Sequence, residues 1–172
     1  MSGTQHIVMA SGASAALLVT YGEKALVPAI GIIAGSILPD IDTPDSTLGQ
    51  VFPSLSAFLN NLFGHRGLIH TIWLAVLFFV TGYYFHLSIL SGIAMGIIFH
   101  LILDTCSRTG ITPLYPARVK LSTFEGKTSG ILGWLVTIAM QTALYACETT
   151  FYISATAVGL NPDALLLSLL RN

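Results

Sequence analysis

The chain has 172 residues, 53% of them hydrophobic and only 9% charged, with a formal net charge of −1 and a mean hydropathy of +0.78. Soluble domains carry about 25% charged residues, so a water-soluble fold of this size could not hide that much apolar surface, and part of it must face lipid. No basic run is long enough for nucleic-acid binding, and Cys106 and Cys147, far apart and outside any CxxC pair, argue against a disulfide framework and read as packed free thiols.

The length fits one domain over residues 1–172. No Lys or Arg precedes the first apolar stretch, as a signal peptide would require, so that segment is expected to stay in the protein. Asp, Glu, Lys and Arg are absent from residues 7–22, 25–39, 67–103, 128–147 and 149–162. Alternation of apolar and polar residues is rare, which argues against a transmembrane barrel and leaves helices to satisfy the backbone in lipid. The expected fold is all-α: a polytopic membrane helical bundle of about four to six helices, with a polar site at one membrane face.

In chain order, 7–22 and 25–39 are short for full spans and predict a tight pair or a re-entrant hairpin about the turn 21–24. Pro39 should end the second helix and leave Asp40 and Asp42 on an extended strand, side chains pointing the same way. Residues 40–66 read as a polar loop. The 67–103 stretch is too long for one pass and predicts helices at about 68–85 and 88–104, broken near Gly82, His86, Ser88 and Gly92. A second polar loop covers 105–127 and carries Arg108, Arg118, Lys120 and Lys127, which the positive-inside rule places in the cytoplasm. Residues 128–147 predict another pass, and 163–170 a short surface helix. Gly31 with Gly35, Gly92 with Gly96, and Gly126 with Gly130 have the spacing of close helix contacts, although glycine is common in membrane helices anyway.

Seven residues offer metal-ligand chemistry: His6, Asp40, Asp42, His65, His70, His100 and Asp104. His6 precedes the first helix, Asp40 and Asp42 follow the second, His65 and His70 open the third, and His100 and Asp104 close the fourth. Helices that alternate in direction bring all seven to one face, together with the basic loop. His100 and Asp104 are four apart and share one side of a helix. Ionisable groups near hydrocarbon are costly and need partners or a function. His86 and Glu148 fall on the opposite face.

Imidazole and carboxylate together suit zinc, with manganese or iron as alternatives, and seven candidates allow one or two ions. Such an ion activates water near neutral pH. An Asp outside the ligand set could serve as general base or orient a His. Asp42 and Asp104 are the candidate bases. Arg66 could hold a phosphate or serve as an interfacial anchor.

The stretch Gly35–Asp42 (Gly-Ser-Ile-Leu-Pro-Asp-Ile-Asp), followed by Leu48-Gly49-Gln50, resembles the start of the YdjM-like family. Gly64–Thr71 (Gly-His-Arg-Gly-Leu-Ile-His-Thr) is similar to its second motif, His100–Asp104 to its His-x-x-x-Asp helix, and Gly110–Pro116 to the stretch after it. The likeness covers roughly residues 6–122, while residues 123–172, read as C-terminal helices, match nothing nameable. Thr43 stands where the family often has a His. The family is described as inner-membrane-associated, metal-dependent hydrolases with a LexA-binding label, distantly related to zinc-dependent phospholipase C and P1-type nucleases. The resemblance implies His6, Asp40, His65, His70, His100 and Asp104 as ligands, and a phospholipid or another phosphoester as substrate. The alternatives are a non-catalytic membrane protein, with a structural His/Asp metal cluster or a docking role for a cytoplasmic protein partner, and an ion or proton transporter. Transporters usually place their sites near the midplane, which counts against the last.

Overall fold

The computed structural model describes residues 3–64, 67–107, 110–117, 119–122, 135–139, 141–143 and 145–146. Among these residues the fold is all-α, with one isolated antiparallel bridge between Ile111 and Leu121 and no strand. Six helices follow in order: α1 (Gly3–Tyr21), α2 (Leu26–Ile37), α3 (Thr47–Val51), α4 (Pro53–Phe63), α5 (Ile72–Phe85) and α6 (Ser88–Thr105). Helical backbone also covers the described part of 135–146. The expectations for Gly126, Gly130, Cys147, Glu148 and the helix at 163–170 lie outside the described residues.

α1 and α2 form a hairpin about the 3₁₀ turn Gly22–Ala25, where Gly22 adopts φ 61°. That left-handed backbone suits glycine, which lacks a Cβ. The hydroxyl of Ser14 donates to the carbonyl of Ala29 at 2.9 Å and ties the two limbs together. The helical residues of 135–146 meet α1 at Gln141, whose Nε2 donates to the carbonyl of Val8 at 2.7 Å.

α2 packs along α6 through glycines on both helices. A Cβ on Gly31 or Gly35 would collide with the backbone of Ile89 or Ile93, and one on Gly92 or Gly96 with that of Pro28 or Ile32. Close backbone approach is what small residues at spacing four allow, so this contact decides the use of these four glycines. α5 packs on the other side of α6 around Ala75, Ile97, Leu101 and Ile111. His86, at φ 55°, ends α5 in a left-handed cap, and Leu87 N donates to the carbonyl of Gly82 at 2.9 Å.

By length and composition, two helical stretches can cross a membrane: the folded-back run Gly3–Asp42, and Ser88–Thr105, with the shorter Ile72–Phe85 beside them. Large apolar side chains stay on the outside, among them Ile30, Trp73, Leu77, Val80 and Met95, as a lipid-facing surface requires.

Three sequence expectations need correction. Pro39–Asp42 is a 3₁₀ turn and not a strand. α2 does end before Pro39, at Ile37, and proline, pre-set for a first helical position, opens the 3₁₀ turn that follows. Residues 40–66 are not one loop, because α3 and α4 lie there. Ser46 caps α3 by accepting from Gly49 N at 2.9 Å, and Pro53 starts α4. The third apolar segment also does not begin as an α-helix. Leu68–His70 is a 3₁₀ turn, and α5 starts after extended Thr71.

Candidate metal centre

The polar residues that the sequence spreads over a hundred positions meet at one end of the bundle. His6 comes from the first turns of α1, and Asp40 and Asp42 from the turn after α2. His70 comes from the turn before α5, and His100 and Asp104 from the last turns of α6. All except Asp40 are at most 1% exposed. The Asp40 side chain keeps 23% of its surface open. His65 and Arg66 lie outside the described residues.

Two ring nitrogens and two carboxylate oxygens face one another. His70 Nε2 lies 3.8 Å from Asp40 Oδ1 and 3.9 Å from Asp104 Oδ2. His100 Nε2 lies 3.7 Å and 3.9 Å from the same two oxygens. These separations are too long for hydrogen bonds. Asp40, His70 and His100 each place one donor atom within 4.8 Å of the other two, a set that could hold one ion, and Asp104 Oδ2 borders it. His6, His100 and Asp104 form a second, overlapping group that shares His100 with Asp40 and His70.

The far side of each ring is held. His100 Nδ1 lies 2.7 Å from the carbonyl oxygen of Ser36. A carbonyl only accepts, so Nδ1 carries the proton and Nε2 the lone pair. His70 Nδ1 lies 3.2 Å from Asp42 Oδ2, a carboxylate–imidazole pair of the kind that orients metal-bound histidines. Asp42 is itself fixed, since Thr43 Oγ1 donates to its Oδ1 at 3.0 Å and Asn60 Nδ2 to its backbone carbonyl at 2.8 Å. His6 Nε2 sits 3.4 Å from Asp104 Oδ1, and its ring stacks on His100 with centroids 3.9 Å apart.

A cation fits this arrangement. His100 Nε2 is buried and makes no hydrogen bond, yet its lone pair faces two carboxylate oxygens. Acceptors turned on one another in a buried pocket are unfavourable unless positive charge lies between them. Without a metal, His70 supplies part of that charge. Burial disfavours its charged form, but the carboxylates of Asp40 and Asp42, joined by Asp104, outweigh burial and raise its pKa to about 9.

Sequence reasoning missed the supports. Ser36 acts through its backbone, which composition does not reveal. Asn60 had a signal: with Ser56 it makes a polar i, i+4 pair on a mostly apolar helix.

Residues 1–167 match a family described as YdjM inner membrane protein. The chain is 32% identical over 123 residues to the uncharacterized protein YvsG of Bacillus subtilis, covering 70% of this chain and 77% of that one. It is 32% identical over 89 residues to the inner membrane protein YdjM of Escherichia coli, covering 48% of this chain and 45% of that protein, and matches YdjM of Shigella flexneri equally. No solved structure matches.

Proposed function

The chain belongs to the YdjM inner membrane protein family, and on that footing we propose that it is a multi-pass, metal-dependent hydrolase acting on a phosphoester or phospholipid, within one membrane-embedded domain. The observation that carries this reading is the approach of His70 Nε2 and His100 Nε2 to Asp40 Oδ1 and Asp104 Oδ2, each His–Asp separation being 3.7–3.9 Å, with both rings held from behind.

His70, His100, Asp40 and Asp104 would hold a divalent ion, zinc by donor type, with manganese or iron as alternatives. His6 would steady the second oxygen of Asp104, or join the ligands of a second ion. A bound ion supplies a water acidified for attack on phosphorus. In the net reaction that water adds to phosphorus, the bond from phosphorus to the leaving alcohol breaks, and a proton ends on the alcohol. Asp42, buried behind His70, suits an orienting role. Asp40 sits where substrate enters and can pass a proton to or from it. Arg66, four positions before His70 in the chain, is assigned to the phosphate charge. The site is read as facing the cytoplasm, a reading that the basic residues of 105–127 support through the positive-inside rule.

The near-complete burial of His6, His70 and His100 favours one alternative, a closed structural centre that supports a docking surface. The test is metal content by plasma mass spectrometry on purified wild type and on His70→Ala/His100→Ala, followed by hydrolysis of a phosphodiester. Stoichiometric metal with turnover, both lost in the variant, supports the hydrolase. Metal without turnover selects the structural centre. Wild type that takes up no metal removes both.

A further inference from the structure

α4 is built inside out. It has 11 residues, a length of about 16 Å, too short to cross the bilayer. The side turned to the protein is polar. Ser56 is buried, and Asn60 reaches the backbone of Asp42 at 2.8 Å in the turn that α4 packs against. The apolar stripe points away, with Leu55 44%, Phe58 59% and Leu62 58% exposed. A helix on a water-soluble surface does the reverse. No Asp, Glu, Lys or Arg occurs between Asp45 and Arg66, so α4 exposes no charge, and its exposed polar side chains are Ser54 and Asn61, off the apolar stripe.

We propose that α4 is an interfacial helix, seated in the headgroup–acyl boundary of the bilayer by Leu55, Phe58 and Leu62, and that through Asn60 it sets the Asp40–Asp42 turn at that depth. The occupant of the stripe is lipid. The chain is an inner membrane protein by family, and α5 likewise exposes large apolar side chains, Trp73, Leu77 and Val80. Most interfacial helices add lysines or arginines on their polar face. Here that face is spent on the protein, so the anchor depends on apolar area and is indifferent to lipid charge. One consequence rests on the hydrolase reading: the site meets its substrate at headgroup level, and the phosphoester it takes belongs to a membrane lipid.

The experiment is collision accessibility of nitroxide labels at Leu55→Cys, Phe58→Cys, Leu62→Cys, Ser54→Cys and Asn61→Cys, in a Cys106→Ser/Cys147→Ser background in vesicles. Molecular oxygen should dominate at Leu55, Phe58 and Leu62 with a depth just below the headgroups, a water-soluble nickel chelate should dominate at Ser54 and Asn61, and neutral and anionic vesicles should agree. Equal nickel access at all five positions overturns the proposal. So does shielding of the stripe from both reagents, which would mean a second copy or another segment covers it. A depth at the bilayer centre overturns it too. The substrate step has its own arms: wild type should hydrolyse vesicular phospholipid at least tenfold faster than bis-nitrophenyl phosphate. Preference for the soluble ester overturns that step alone. No turnover of either overturns it together with the hydrolase reading. The labels decide the placement of α4 in every case.

Discussion

His100 donates its Nδ1–H to the backbone carbonyl of Ser36, 64 positions earlier in the chain, at 2.7 Å. The bond fixes one tautomer and aims Nε2 at Asp40 and Asp104. It also joins α2 to α6 at the level of the candidate centre, so the geometry of the cluster and the packing of the two helices are one property. His100→Ala should therefore lose bound metal to below about a tenth of an ion per chain. It should also lower stability by roughly 1–3 kcal/mol, because the Ser36 carbonyl is left buried without its donor. Metal analysis and thermal melting in detergent check the two parts. Retention of full metal would remove His100 from the ligand set.

Asp42 is tested more gently. Its carboxylate faces His70 Nδ1 at 3.2 Å, away from the point where the four donors meet. Asp42→Asn keeps the shape and removes the charge that makes His70 a better ligand. Outer partners of this kind change metal affinity by about 10- to 100-fold. Chelator competition should show a loss in that range with the fold retained. Unchanged affinity would mean that Asp42 does not orient His70.

The raised pKa of His70, about 9, gives the metal-free protein a pH signature. The folded value lies above the ordinary value of 6.5, so protonated His70 stabilises the fold fully below pH 6.5. That contribution is lost as pH rises through about 9. A metal ion competes with the same proton, so affinity should climb by up to about tenfold per pH unit until His70 has titrated. Melting of metal-free protein should therefore fall between pH 7 and 9.5, while metal-loaded protein holds or gains. Parallel curves would exclude displacement of the His70 proton.

Much of this was legible in the chain, for physical reasons. The break at His86–Leu87 and the extent of α6 follow from a 37-residue apolar stretch, 67–103, that cannot be a single pass. Alternating helix direction alone places His6, Asp40, His70, His100 and Asp104 at one end. The turn at Pro39–Asp42 was not legible, because proline both ends helices and begins them. Successive residues of a 3₁₀ turn are about 120° apart. Asp40 and Asp42 therefore diverge, one to the cluster and one to the back of His70, where an extended strand would have aligned them. α4 was hidden for another reason: a short uncharged segment between two polar motifs reads as loop, although Leu55, Phe58, Leu59 and Leu62 keep helical spacing. The support from Ser36 uses a carbonyl every residue possesses, so only coordinates reveal it.

The glycine contact between α2 and α6 ties the centre to helix packing and can be broken without touching a polar residue. A Cβ on Gly35 would collide with the backbone of Ile93, which cannot retreat unless α6 moves. Gly35 directly precedes Ser36, and movement of α6 carries His100 with it. Gly35→Ala should cost about 1–3 kcal/mol of stability and should weaken metal binding at least tenfold by drawing His100 from Ser36. Gly3→Ala is the control, because a Cβ there meets nothing within 4 Å. Thermal melting and chelator competition on both variants decide the matter. If Gly35→Ala melts early yet binds metal as tightly as wild type, then the centre is held by α1, α5 and the Asp40–Asp42 turn without help from the α2–α6 contact.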